Sequence, residues 1–248
     1  MRIAALYDIH GNLPALDAVL AEVERAGVDL VVWGGDVAAG PLPAETIERM
    51  RGVGGRCVMG NADRQMVEDF DAARRPDDSD DEMTRTMLWA VSRIDHADRD
   101  FLAAFEPTVS VDVDGLGPTL FCHGSPRNDM EMITRATPQE RLAPMLAGVE
   151  EQIVVCGHTH QQFDIRCAEH LVLNAGSVGM PYEGVAAAFW LLLGPRVELR
   201  RTGYDVSAAV ATMHASGMPD VDRLLLRESL IDPVDPDEVT QLFETGAE

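Results

Sequence analysis

Seven side chains able to bind a metal stand in short polar clusters along this chain, each cluster directly after an apolar run. They are Asp8 and His10, then Asp36, Asn61 and His123, then His158 and His160. Asp8 and His10 are two positions apart, and side chains at that spacing on extended backbone share a face. A carboxylate oxygen beside an imidazole nitrogen suits a divalent metal of intermediate softness. Asp-x-His alone is a weak signal, because it arises by chance in many chains. Its weight comes from the same donor chemistry recurring at one run end after another. Four of the seven histidines fall in these clusters, and His96, His170 and His214, which lack such surroundings, are expected at the surface. A lone histidine after a strand is ordinarily a structural residue, but seven donors in succession are hard to explain by packing. Asp8 and Asp36, if buried without a cation, would be costly charges with no Arg close by in sequence.

The elements that must position these residues can be read from the hydrophobic pattern. Residues 2–7 form an apolar run, expected as a buried strand. Residues 13–25 carry apolar side chains at helical spacing, with Pro14 in the first turn. Residues 30–33 are a second buried strand running into Gly34-Gly35-Asp36. A helix over 44–50 and a strand near 56–59 follow. Strand–helix–strand–helix–strand implies parallel pairing, with polar residues at the carboxyl ends of the strands, the usual place for an α/β site. The acidic run 71–82 reads as a solvated loop; the Gly and downstream Glu of a calcium loop are missing from it. Residues 83–105 are expected as one or two helices, with Trp89 packing or roofing a cleft. A hairpin at 108–113 and 119–122 delivers His123, and a strand at 153–156 delivers Gly157-His158-Thr159-His160. Runs at 163–166, 171–173, 185–193 and 197–201 suggest a second, more antiparallel sheet. From Asp205, a candidate N-cap, the tail is helical, with Pro233 and Pro236 delimiting its last piece. The division expected is 1–202 for the main domain and 203–248 for a helical extension packed on it.

Composition narrows the function classes. The 248 residues carry 42 acidic and 20 basic side chains, a formal charge of −22. A field of that sign disfavours long nucleic acid and anionic membranes as partners, but not a locally positive metal site. Every basic residue is Arg and none is Lys, which excludes a Walker-type lysine, a Schiff-base lysine and a pyridoxal phosphate site. The four cysteines form no C-x-x-C pair and are expected as small buried hydrophobes. The chain opens on a run too short for a signal peptide, and its longest apolar run is under half a membrane span. A reducing, cytoplasmic setting is the expectation.

Taken together, Asp8-x-His10, Gly35-Asp36, Gly60-Asn61, His123 and Gly157-His158-x-His160 resemble the five motifs of the calcineurin-like metallophosphoesterases. Asp8-Ile9-His10-Gly11-Asn12 and Asn174-Ala175-Gly176-Ser177-Val178-Gly179 resemble more narrowly that superfamily's small bacterial and archaeal phosphodiesterase branch. The resemblance implies a four-layer α/β/β/α sandwich of two mixed sheets flanked by helices. It implies two divalent metals, Mn first, with Fe, Zn, Co or Ni as alternatives. Asp8, His10, Asp36 and His160 would hold one metal, and Asp36, Asn61, His123 and His158 the other, with Asp36 bridging. A hydroxide between the metals would be the nucleophile, with Asp36, Asn61 and His123 as the catalytic set and no protein nucleophile required. The expected substrate is a small organic phosphate diester or a nucleotide. A phosphomonoesterase (protein phosphatase included) and a non-catalytic scaffold of the same fold are the alternatives.

One position departs from the family pattern. Many members carry His directly after Gly-Asn, where it serves the leaving group; here the order is Gly60-Asn61-Ala62-Asp63. Another residue then supplies the proton, or the leaving group is good, or catalysis is weak. Asp63 is read as a helix N-cap, with orientation of the site as the alternative, and Tyr7 as a packing residue. Asn61 and Arg127 are the candidate substrate contacts, Arg127 because a guanidinium grips phosphate oxygens in pairs; a plain surface Arg is the alternative. A homo-oligomer is an open expectation.

Overall fold

The computed structural model describes residues 1–77 and 80–246. The strands are β1 (Ile3–Leu6), β2 (Leu30–Trp33), β3 (Arg56–Cys57), β4 (Thr108–Val113), β5 (Gly117–Cys122), β6 (Ile153–Cys156), β7 (Gln162–Cys167), β8 (His170–Ala175), β9 (Ala188–Leu193) and β10 (Val197–Thr202). The α-helices are α1 (Leu13–Ala26), α2 (Pro43–Val53), α3 (Asn61–Asp71), α4 (Glu82–Val91), α5 (His96–Ala103), α6 (Gln139–Met145), α7 (Val206–Ala215) and α8 (Pro236–Gly246), with a π-helix at Asp222–Ile231. One sheet has the order β10-β9-β1-β2-β3 and the other β4-β5-β6-β8-β7.

Period-two alternation assigns the faces. In β1, Ile3 and Ala5, followed by Tyr7, face the other sheet, where they meet Val109, Phe121, Val155 and Leu173. Ala4 and Leu6 point the other way, into the cluster formed with Leu16, Val19, Ile47 and Met66 of the helices. The outer face of the second sheet, through Leu120, Val154 and Val172, packs on Leu142 and Met145 of α6. The layers are therefore helix, sheet, sheet, helix: the α/β/β/α sandwich with two mixed sheets that the resemblance implied.

Strand membership differs from the expectation in one respect. The runs at 185–193 and 197–201 were expected in the second sheet; instead β9 lies antiparallel to β1, Ile3 opposite Leu193, and β10 extends the first sheet beyond it. The reason is burial. Every residue of β9, from Ala188 to Leu193, is buried, so the strand needs cover on both faces. Beside β1 it receives both, with Trp190 and Leu192 against the helices and Leu191 and Leu193 between the sheets. The second sheet is antiparallel only at its edges; β5, β6 and β8 run parallel.

His170 is a second correction. It is buried rather than at the surface, because it opens β8 opposite Cys167 and its Nδ1 meets Glu151 O at 2.9 Å. The acidic run 71–82 includes Asp78 and Ser79, which lie outside the described residues. Its ends belong to helices: Asp71 closes α3 and pairs with Arg99, and Asp81 caps α4 through Thr84 N at 2.9 Å. The cysteines are free, and Cys122, Cys156 and Cys167 are buried within strands. After β10, Asp205 caps α7, and Met213, Leu226 and their neighbours pack against Trp89, Met180 and Tyr204. No described helix is long and apolar enough to cross a membrane.

Candidate metal centre

Each polar cluster lies just beyond a strand end. The turns after β1 and β2 extend their pairing, with Asp8 N donating to Gly35 O and His10 N to Asp36 O, both at 3.0 Å. Gly157 N donates to His123 O at 2.9 Å, tying the turns after β5 and β6 together. His158 N then donates to Asp8 Oδ2 at 3.0 Å, which joins the two sheets at the site. The side chains converge in two groups, Asp8 with His10 and His160, and Asp36 with His123 and His158, each with its ligand atoms within 4.8 Å of one another. Asp36 Oδ2 lies between the groups, 3.4 Å from His123 Nε2 and 3.9 Å from His10 Nε2. Asn61 Oδ1 is 3.1 Å from His123 Nε2. All seven residues proposed as ligands from the sequence meet in this one place.

The hydrogen bonds around the rings test whether the site fits a cation. His10 Nδ1 meets Ala39 O at 3.2 Å, His123 Nδ1 meets Gly34 O at 2.9 Å and His160 Nδ1 meets Met180 O at 2.7 Å. A carbonyl can only accept, so each Nδ1 carries the proton when the ring is neutral. Each Nε2 is then a lone pair turned inward. The Nε2 atoms of His10 and His160 face each other at 3.2 Å, an arrangement without a hydrogen between them in that tautomer. Asp8 Oδ1 and His158 Nε2 are buried with no hydrogen-bond partner. Facing lone pairs and orphaned ligand atoms in a buried pocket are what a divalent cation satisfies. The donor set fits.

The electrostatics point the same way. Burial works against charge on Asp8 and Asp36, yet neighbouring imidazoles, His160 for Asp8 and His123 for Asp36, hold both carboxyls below the usual range. Burial pushes His123 down, but Asp36 and Asp8 outweigh it and lift it to about 10. Burial and His123 push His158 down to about 4, and burial with His160 lowers His10.

Neighbouring residues shape this arrangement. Asp63 sits in the first turn of α3, fully buried, and its carboxylate accepts from Asp36 N at 2.7 Å, Val37 N at 3.0 Å and Gly60 N at 3.3 Å. It therefore braces the Asp36 turn as well as the helix start. Gly60 is required by close approach: a Cβ there would lie 2.2 Å from Asp36 Oδ1. Ala62 N donates to that same oxygen at 2.8 Å. Tyr7 is buried, and its hydroxyl donates to Val155 O at 3.1 Å, in keeping with a packing role. Arg127 is paired with Glu131 in the loop after β5, and no described hydrogen bond or ion pair links it to the seven residues.

Two further contributors stand beside the ligands, one in a motif quoted from the sequence and one that gave no signal there. Ser177 Oγ donates to Asp8 O at 2.7 Å and accepts from Met180 N at 2.7 Å; its Asn-Ala-Gly-Ser context was the available signal. Tyr182 stacks on the His160 ring, with centroids 5.1 Å apart and planes 18° from parallel. A lone Tyr in a Gly- and Pro-rich loop gives no signal of that kind.

The sequence profile of the calcineurin-like phosphoesterase superfamily domain matches residues 1–193. An uncharacterised protein of Methanocaldococcus jannaschii is 24% identical over 239 residues, 88% of this chain and 94% of that protein. The crystal structure of a metallophosphoesterase from Sphaerobacter thermophilus superposes with a TM-score of 0.73 at 26% identity, covering 89% of this chain and 95% of that one. A hypothetical protein from Pyrococcus horikoshii OT3 shares the fold at a TM-score of 0.75 and 20% identity, covering 88% and 94%.

Proposed function

Because the chain belongs to the calcineurin-like phosphoesterase superfamily, we propose that it is a two-metal phosphodiesterase acting on small organic phosphates or nucleotides. The observation that carries this reading is the inward convergence of unpaired ligand atoms: the facing Nε2 atoms of His10 and His160, and the orphaned Asp8 Oδ1 and His158 Nε2. Asp8, His10 and His160 with Asp36 would hold one cation, and Asn61, His123 and His158 with Asp36 the other. Imidazole and carboxylate together favour Mn, Fe, Zn, Co or Ni over Mg or Ca, with Mn placed first. A bound pair of cations supplies neutralisation of the phosphoryl oxygens and a water acidic enough to attack phosphorus.

The protein's part is positioning. The carbonyls of Ala39, Gly34 and Met180 fix three imidazoles in the tautomer that presents Nε2 inward. Asn61 offers an uncharged amide beside His123 for a substrate oxygen. Ala62 offers no acid to the leaving group, which favours esters whose alcohol departs readily. All seven ligand positions are filled, which argues against a scaffold that has given up catalysis. Free cysteines fit a reducing compartment.

The test is turnover of an aryl phosphodiester and of the matching monoester with added Mn, beside Asp36→Asn. Diester turnover that falls at least about 100-fold in the variant supports the proposal. Preference for the monoester would replace it with a phosphomonoesterase. No turnover of either ester by protein shown to hold metal would replace it with a scaffold.

A further inference from the structure

We propose that the cavity beside Asn61 and Ala62 receives the nucleobase of a nucleotide ester. This rests on the phosphoesterase reading above and narrows its substrate. The cavity, about 320 Å³, lies between the start of α3 and the start of α4, and includes Met130 from the loop after β5. That volume is at the small end of ligand pockets, room for one compact ring system. Asn61, whose Oδ1 meets His123, and Ala62, whose N donates to Asp36, both line it, so the cavity borders the metal centre and a group attached to phosphorus there has this space next to it.

Its lining selects the chemistry. Met83 and Met130 are 71% and 54% exposed, although large apolar side chains gain nothing from facing water, and Met87 lines the same space. Thioethers are adaptable apolar surfaces that favour contact with aromatic rings. Arg64 and Arg74 also line it and are already paired with carboxylates, Arg64 with Asp129 at 2.7 Å and Glu68 at 3.2 Å, and Arg74 through Nη1 with Asp69 at 2.9 Å. A second phosphate would have to compete with those carboxylates, whereas the flat faces of guanidinium groups stay free for stacking on a ring. Gln65, half-buried in the same lining, makes no side-chain hydrogen bond among the described residues, leaving one acceptor and two donors open. A flat, uncharged ring system with hydrogen-bonding edges satisfies all of these groups at once. A sugar or an alkyl chain leaves either the thioethers or the amide unmatched.

The experiment is calorimetric titration of the Mn-loaded protein with AMP, ribose 5-phosphate, phenyl phosphate and inorganic phosphate. The variants are Gln65→Ala and Met83→Glu, at positions outside the metal ligands. AMP is expected to bind about tenfold more tightly than ribose 5-phosphate, with phenyl phosphate between them. Both variants should erase most of the AMP advantage and leave the affinity for inorganic phosphate unchanged. Equal binding of AMP and ribose 5-phosphate would overturn the proposal. So would phenyl phosphate matching AMP, or an AMP advantage that survives both variants. No binding of inorganic phosphate by the metal-loaded protein would instead overturn the phosphoesterase reading, and this proposal with it.

Discussion

Asp8, His10, Asp36, His158 and His160 all have φ between +47° and +65°, a region that side-chain-bearing residues rarely enter. Such conformations cost on the order of 1–3 kcal/mol each and persist where the surroundings enforce them. For Asp8, His10 and Asp36, enforcement comes from the backbone bonds between the turns after β1 and β2 and from Asp63 beneath the Asp36 turn; His158 N is held on Asp8 Oδ2, and His160 O by Tyr182 N. Burial and the adjacent Asp36 charge push Asp63 up to about 7, so the brace sits in a strained electrostatic position as well. Replacing it tests its role. Asp63→Asn should weaken metal binding about 10- to 100-fold with the fold intact, measured by competition with a chelating dye. Asp63→Ala, which also strands buried amide donors, should lower stability by about 2–3 kcal/mol in urea denaturation. Gly60→Ala should displace Asp36, because the added Cβ would fall 2.2 Å from its Oδ1; elemental analysis should find substoichiometric metal in folded protein.

At the scale of elements, the C-terminal helix is part of the site's support. Gln161, next to His160, donates through Nε2 to Pro236 O at 2.7 Å and accepts from Thr240 Oγ1 at 2.8 Å. Phe243 of α8 lies 6.2 Å from the Tyr182 ring that stacks on His160. Glu244 accepts from Thr134 and Thr137 and pairs with Arg141, fastening the end of α8 to the main body. Tyr182→Leu, or a chain ended after Asp235, should therefore weaken the cation held by Asp8, His10 and His160 about tenfold or more. The cation beside His123 should be less affected. Metal counted after graded dialysis should fall from two toward one per chain in these variants; equal loss of both would show that α8 only stabilises the fold. Helix α3, which opens on Asn61, was implied only by Asp63 read as an N-cap. The strands that precede the ligands were legible from hydrophobic period, as was their order, and the Asp205 cap from its residue type. The sheet to which β9 belongs was not, because a wholly apolar strand fits either sheet until its two faces are covered.

For the whole molecule, the relevant balance is between an acidic chain and a buried cation site. Two sheets meet at the centre through His158 N and Asp8 Oδ2, so charge there acts on the packing of both halves. Ligand that binds only the folded state adds about 2.7 kcal/mol when free ligand is 100 times Kd. Stripping the metal with a chelator should then lower Tm by about 5–10 °C for a chain of this size, and Mn should restore it. Calorimetry with and without chelator checks this; an unchanged Tm would mean that the folded protein binds no metal appreciably.

By itself, the sequence determined the donor set and its order along the chain. Asp, His and Asn carry their chemistry in their identities, and an apolar run followed by Gly marks a strand end wherever it folds. The four layers followed from the family resemblance that the motifs of these residues carry, while hydrophobic spacing gave the strand–helix–strand order of the first half. Tertiary structure alone decided which nitrogen of His10, His123 and His160 faces inward, since that depends on carbonyls 20 or more residues away. It decided that Asp63 serves Asp36, that Tyr182 and α8 lie against His160, and that Arg127 is paired with Glu131. These are contacts between segments distant in sequence or details of side-chain direction. No local period encodes them, because they follow from how the two sheets and the tail pack together.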